Sequence, residues 1–239
     1  MKENSYLAII PARSGSKRLS KKNVKILGNK PLIAWSIESA LECKGIEEVM
    51  VSTDSSEILN IAQEHGVHTP FLRSAKNSGD FSTSYDVVKE VLATYEEKYN
   101  KSFDFIVLLQ PTSPFRTSTD IENAITKQIE NDALSIVSVC KTEHPSNWIM
   151  QLSENMPLDE YMETLDKTKR SQDYQQEYRL NGAIYIINVS ALLKHEKLLF
   201  SERSFAYEMT QENSIDIDDA YDFKVASIIE QIKREEEIL

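Results

Sequence analysis

The chain has 239 residues, 41% of them hydrophobic and 27% charged, with a formal net charge of -11. This size and balance suit one large α/β domain, or one domain with an embellishment, and the acid excess argues against a nucleic-acid partner. No run approaches the roughly 20 apolar residues of a membrane span, and no apolar signal core precedes a small-residue cleavage site, so a cytoplasmic protein with no membrane partner is expected.

A short apolar run over 7–10 predicts the first buried strand. It leads into a loop with five cations, Arg13, Lys17, Arg18, Lys21 and Lys22. Clustered positive charge in an acidic chain points to a bound anion. Ser14, Gly15 and Ser16 let backbone N–H groups approach that anion closely, as in phosphate-cradling loops. The loop has neither Gly-x-Gly-x-x-Gly nor Gly-x-x-x-x-Gly-Lys-Ser/Thr, which argues against a dinucleotide cofactor and a P-loop ATPase. The competing reading is a solvated basic loop.

A helix is predicted over 31–43, with Pro31 suited to its first turn. A strand over 49–54 ends on Asp54, and a helix over 55–65 stops at Gly66. A third helix is predicted over 83–99, followed by an apolar strand over 105–109. The next turn, Gln110-Pro111-Thr112-Ser113-Pro114-Phe115-Arg116, carries two stiffening prolines. Gln110, Thr112 and Ser113 then become fixed neutral hydrogen-bonding groups of the kind a polyhydroxyl ligand needs. The competing reading is a capped turn into the helix over 118–131. A strand over 135–139 follows. Cys43 and Cys140 lie in apolar patterns without metal-ligand spacing and read as buried thiols in a reducing compartment.

Residues 141–178 break this rhythm, with Pro145, Pro157 and few apolar periods. A segment of that length without a clear element is functional or an interaction insert, the competing reading being a flexible excursion. Its scattered apolar residues, Trp148 and Ile149 among them, suggest a surface buried against a second subunit. Domain boundaries follow: an α/β domain from 1–140 and 179–239, interrupted by the insert. Tyr178-Arg179-Leu180-Asn181-Gly182 leads into a strand over 183–187. Arg179 suits bidentate binding of a carboxylate or phosphate, with Arg170 as a candidate second cation; the alternative is a surface arginine paired with Glu177. Ser214-Ile215-Asp216-Ile217-Asp218-Asp219 alternates Ile with Asp, so an extended backbone turns Asp216 and Asp218 to one face. Two convergent carboxylates suit Mg²⁺. The alternative is that these acids only cap the last helix, predicted over 219–238.

Alternating strands and helices predict a doubly wound, mostly parallel α/β sheet of Rossmann-like form, with ligands at the carboxyl ends of its strands. A cationic loop, an acidic pair, a polar turn and an arginine together describe metal-assisted nucleotidyl transfer to an anionic, hydroxylated substrate.

Several motifs also occur in order along nearly the whole chain: Ile-Pro-Ala-Arg-Ser-Gly-Ser-Lys with Lys22-Asn23, Gly28-Asn29-Lys30-Pro31-Leu32, Val51-Ser52-Thr53-Asp54, Leu109 to Pro114, Arg179 to Tyr185 and Ser214 to Asp218. In these the chain resembles the acylneuraminate cytidylyltransferases. The resemblance implies a homodimeric, Mg²⁺-dependent enzyme that joins CTP to a nonulosonic acid, giving a CMP-sugar and pyrophosphate. It implies that Ala12, Arg13, Gly15, Ser16, Lys22 and Asn23 hold CTP, with Ser82, Thr83 and Ser84 near the cytosine. Gln110, Thr112, Ser113, Arg170, Arg179, Asn181, Tyr185 and Phe200 would serve the sugar. Lys22, Asp216 and Asp218 would be catalytic, the two aspartates as metal ligands. The chemistry itself leaves two candidates for removing the sugar hydroxyl's proton, a metal-bound carboxylate such as Asp218 or a metal-bound hydroxide. Lys17, Arg18 and Lys21 would supply a supporting field. The insert would be a dimerisation element. Sialic acid members usually carry Arg-Gln before the Arg-x-Asn-Gly motif and a basic residue after the His-Pro pair; here Ser171-Gln172 and Asn147 stand there. The expected sugar is therefore a nonulosonic acid of open identity: N-acetylneuraminic, legionaminic or pseudaminic. The alternatives are CTP-dependent activation of 3-deoxy-octulosonate and a catalytically silent nucleotide-binding protein.

Overall fold

The computed structural model describes residues 4–151, 154, 158–164, 170 and 173–236. The first half of the chain holds β1 (Tyr6–Pro11), the short strands β2 (Ile26–Leu27) and β3 (Lys30–Pro31), α1 (Leu32–Glu42), β4 (Glu48–Ser52), α2 (Ser56–Glu64) and α3 (Ser84–Tyr99). The rest holds β5 (Phe105–Leu108), α4 (Ser118–Glu130), β6 (Ser135–Lys141), α5 (Asp159–Thr164), β7 (Tyr178–Asn188), α6 (Val189–His195), β8 (Ser204–Glu208) and α7 (Ala220–Glu236). Side chains start several helices. Thr83 and Asp86 form a capping box on α3, and Thr117 and Asp120 form another on α4. Ser55 and Asn188 cap α2 and α6. Asp219 accepts from the N–H groups of Tyr221 and Asp222 at the head of α7, as its position in the sequence suggested.

Six strands form one sheet in the order β4-β1-β5-β7-β6-β8. Successive residues of β1 face opposite sides, so both faces must be covered. Tyr6, Ala8 and Ile10 pack with Ile33 and Ile37 of α1, Ile58 of α2 and Ile121 of α4. Leu7 and Ile9 pack with Val88, Val91 and Tyr95 of α3 and Leu192 of α6. A third cluster holds α7 against Leu19, Leu27 and Phe115, and includes the fully buried Ile217. The chain moves from β1 outward to β4, then crosses back over β1 to β5. That reversal opens a crevice beyond the carboxyl ends of β1 and β5. The loops that follow these two strands are the cationic loop and the Gln110 turn.

Two features differ from the sequence expectation. Strand β7 runs antiparallel to both β5 and β6, while the β1–β4, β1–β5 and β6–β8 pairings are parallel. An apolar run reports burial on both faces and carries no information on direction. The strand also begins at Tyr178, so the Arg-Leu-Asn-Gly motif lies within it. Strand β8 and the β2–β3 ribbon gave no signal in the sequence. Strand β8 is an edge strand with Phe205, Ala206 and Glu208 exposed, and the ribbon has two residues per strand.

The long connection between β6 and β7 starts and ends on adjacent antiparallel strands. Thr142 N donates to Glu177 O at 2.9 Å across its base, and the Glu177 carboxylate accepts from Ser146. Ser171 and Gln172 lie outside the described residues.

Candidate active site

The cationic loop and the Gln110 turn face one cleft of about 470 Å³. Ala12 is buried and its N–H donates to Ser52 O at 2.9 Å, which ties the start of the loop to β4. Asp54 anchors the next residue, accepting from Ser14 N and Ser14 Oγ, both at 2.8 Å. Burial acts to raise the Asp54 pKa, but these two bonds, with a backbone bond and the charge of Arg73, together outweigh it and hold the carboxyl below its ordinary range. Gly15 has open space where a Cβ would stand. Ser16 lines the cleft, and Asn23 is buried at its floor, donating to Arg13 O at 3.2 Å.

The five cations have different partners. Arg13 and Lys17 both pair with Asp80, at 2.9 and 2.7 Å. Arg18 reaches Asp218 at 2.7 Å. Lys21 has a positive φ of 53° and turns away to Glu57 of α2. Lys22 is the buried one: its side chain is 13% exposed, it donates to Ile217 O at 2.7 Å and lies 3.6 Å from Asp218. Burial pushes the Lys22 ammonium below the ordinary lysine range, and Asp218 and Asp216 offset that only in part.

The aspartates lie on a segment fixed to the rest of the site. Ile217 N donates to Thr112 O at 2.8 Å, joining the acid segment to the Gln110 turn. Asp218 N donates to Asp222 Oδ2 at 2.8 Å. Asp216 is the more enclosed acid. Burial raises its pKa, the Thr112 hydroxyl and Lys22 pull it down, and the charges of Asp218 and Asp222 add to the rise. Although these groups are neighbours, Asp216 Oδ1 and Thr112 Oγ1 have no hydrogen-bond partner of good geometry among the described residues.

On the opposite wall, Gln110 lies over Gly182, where φ is +73° and a Cβ would meet the Gln110 amide oxygen at 3.4 Å. The backbone of the turn is held from behind by Arg116, a buried residue that donates to Gln110 O at 3.3 Å and Ala183 O at 2.9 Å. Burial pushes the Arg116 pKa down to about 9, which leaves it charged at neutral pH. Ser113 is fully buried within the turn, while Thr112 lines the cleft. Tyr185 is half-buried beside Asp216; burial and that charge raise its phenol pKa.

Not every expected residue meets in this cleft. Ser82 and Ser84 line it, but the Thr83 side chain is used by Asp86 in the helix cap. Phe200 is buried against His195, with ring centroids 4.6 Å apart. Arg179 is exposed near the start of β7, and Arg170 is exposed with its N–H donating to Asp173, so neither lines the cleft. Asn181 is 2% exposed and its amide is used inside the protein. Three lining residues with polar side chains escaped the sequence reading: Arg73, Asn77 and Asp80. Arg73 is buried, bonded through Nε to Ser52 Oγ at 3.0 Å, and burial lowers its pKa. These residues lie in the irregular stretch before α3, where no periodicity marks them.

Residues 7–237 match the family described as Cytidylyltransferase. N-acylneuraminate cytidylyltransferase of Escherichia coli O18:K1:H7 is 40% identical over 97% of this chain, which corresponds to 54% of the relative. The chain thus spans about half the length of the first curated relatives it matches. Other relatives match over 97% of their own length and 96% of this chain. Among them are CMP-N,N'-diacetyllegionaminic acid synthase of Legionella pneumophila, 34% identical, and pseudaminic acid cytidylyltransferase of Campylobacter jejuni, 32% identical. Among solved structures, a CMP:2-keto-3-deoxy-manno-octonic acid synthetase complexed with CTP has the same fold, with TM-score 0.70 and 19% identity over 95% of this chain and 99% of that one. The chain belongs to the cytidylyltransferase family, among relatives of the acylneuraminate cytidylyltransferase type.

Proposed function

We propose that this protein transfers CMP from CTP to the anomeric hydroxyl of a nonulosonic acid, releasing pyrophosphate. One observation carries the reading: Lys22 joins the two halves of the cleft, sitting on the anion loop while bonding to Ile217 O between the two aspartates. A charged nucleophile attacking the α-phosphorus of a triphosphate meets like charge, so fixed cations must offset it. Arg13, Ser16 and Lys22 hold the triphosphate, and Ser82 and Ser84 lie towards the base. Gln110 and Thr112 orient the sugar, with Tyr185 beside Asp216. Asp218 takes the hydroxyl proton.

The acids suit Mg²⁺. Among the described residues, Asp216 presents a buried carboxylate oxygen without a hydrogen-bond partner of good geometry, and Asp218 stands beside Lys22. Two carboxylates are what Mg²⁺ takes when substrate phosphates and water complete its shell. When bound, the ion supplies positive charge against the phosphate oxygens.

The relatives' names support a nonulosonic acid and leave its substituents open. Exposed apolar side chains on and beside the β6–β7 connection, including Trp148, Ile149, Tyr178 and Leu180, support a homodimer. Cys43 and Cys140 are buried free thiols, as suits the cytoplasm. The test is pyrophosphate release with CTP, Mg²⁺ and a panel of N-acetylneuraminic, legionaminic, pseudaminic and 3-deoxy-octulosonic acids. Release with a nonulosonic acid supports the reading, whereas release with 3-deoxy-octulosonate alone replaces it. CTP binding without any release leaves a silent nucleotide-binding protein. Sedimentation at micromolar concentration tests the dimer.

A further inference from the structure

Pairing of β6 with β7 is interrupted between Val137 and Val139. Val137 pairs with Tyr185 and Val139 with Leu180, so β7 spends extra residues over the same stretch. Asn181, Gly182, Ala183 and Ile184 form the resulting bulge, and the left-handed φ of +73° at Gly182 is what the turn requires. The Ser138 hydroxyl fills the gap in the ladder. It accepts from Ile184 N at 2.8 Å and donates to Asn181 Oδ1 at 2.5 Å. Bulges re-aim side chains beside sites. Here the bulge turns Asn181 inward, where it is 2% exposed.

Both ends of the Asn181 amide are then committed. Oδ1 accepts from Ser138 and from Ala183 N, and Nδ2 donates to Ser214 Oγ at 2.8 Å and to Met209 Sδ at 3.3 Å. Ser214 is fully buried and donates in turn to Thr210 O at 2.5 Å. It stands two residues before Asp216. A second tie holds the neighbouring residue, with Asn213 Nδ2 donating to Asp120 Oδ2 at 3.0 Å. Beyond Asp216, Ile217 is pinned by Thr112 O and Lys22. Asp216 thus hangs between two fixed points, and its Oδ1 has no hydrogen-bond partner of good geometry among the described residues.

We propose that Asn181 is a positioning residue for the acid pair and makes no contact with the sugar: through Ser214 it sets where Asp216 and Asp218 meet the divalent cation. This rests on the reading of those aspartates as metal ligands. Partners behind a metal ligand commonly change metal affinity by about 10- to 100-fold when removed.

The test uses the full chain with Ser214→Ala and Asn181→Ala. Mn²⁺ binding is read by water-proton relaxation with CTP present, alongside CTP binding without metal, thermal melting, and turnover against Mg²⁺ and sugar concentration. Both variants are expected to bind Mn²⁺ about ten-fold more weakly and CTP alone unchanged, with turnover recovering as Mg²⁺ is raised. Should Asn181→Ala fail to fold, Ser214→Ala carries the result. Unchanged Mn²⁺ affinity in the folded variants overturns the proposal. So does a rise confined to the sugar KM, which is the signature of direct contact, or a wild-type protein that binds no Mn²⁺. The relaxation measurement needs no turnover, so it still decides the point if no sugar in the panel is activated.

Discussion

The cationic loop and the acid segment face each other across one cleft but are built in different ways. Arg13, Lys17 and Arg18 hold their places through ion pairs among side chains that are 36–70% exposed, the kind of pairing that contributes little to stability. The acid segment is held by backbone bonds to Thr112 and Lys22, by the buried Asn181–Ser214 pair and by Ile217 in the core. On the proposed reading, one half exchanges a protein carboxylate for a phosphate at small cost, while the other is held by bonds inside the protein. Positional precision belongs where charge must be aligned with the reacting phosphorus.

Substitutions on the two sides should therefore differ in kind as well as in size. Asp216→Ala and Asp218→Ala each remove a group from the rigid side, and turnover should fall by about 10²–10³-fold or more. Circular dichroism and CTP affinity without metal should stay near the parent values. If turnover survives either change, the metal role of that residue is lost. On the exchangeable side, Arg13→Ala should weaken CTP binding in calorimetry by about ten-fold, the size of one hydrogen bond to a charged group. A fall in turnover at saturating CTP with affinity intact would move Arg13 out of the phosphate site.

Lys22 stands between the halves, and pH reports on it. Its depressed pKa means that it loses charge at lower pH than an unperturbed lysine, near 10.4. CTP affinity should fall as pH rises through that depressed value, and the limb should vanish in Lys22→Met, whose affinity is lower throughout. A limb that persists in the variant belongs to another group. The smallest effect is expected at Asp80, whose carboxyl is held below its ordinary range by Lys17 and Arg13. It competes with phosphate for both cations, so Asp80→Asn should tighten CTP binding about two- to five-fold at low salt and less at high salt. Weaker binding would show instead that Asp80 orders the loop for its ligand.

Sequence reasoning reached the parts of this site that repeat a local pattern. The β1 strand, the cation cluster and the Ile-Asp alternation were legible because charge and period are written in neighbouring residues. Lys22 meeting Ile217, 195 positions away, was reachable only by assembling motifs. The direction of β7 was not legible, because its apolar stretch looks the same either way. The burial of Asn181 and the bonds its amide makes to Ser138 and Ser214 were not legible either, because a sequence motif says nothing of where a bulge will turn a side chain. Arg73, Asn77 and Asp80 reach the cleft from a loop whose path is set by α3 and β4, with no signature of its own. Arg18 looked like background field, yet it pairs with Asp218, 200 positions away in the chain.

The central claim is that this cleft transfers the CMP part of CTP to an anionic sugar and releases pyrophosphate. The direct measurement is pyrophosphate release by the full chain with CTP or UTP, Mg²⁺ and each nonulosonic acid, alongside Asp218→Ala. The account predicts release that requires CTP and one of the nonulosonic acids, is stopped by EDTA and is lost in the variant. Release that is independent of the sugar, or no release with any acid of the panel, would contradict it.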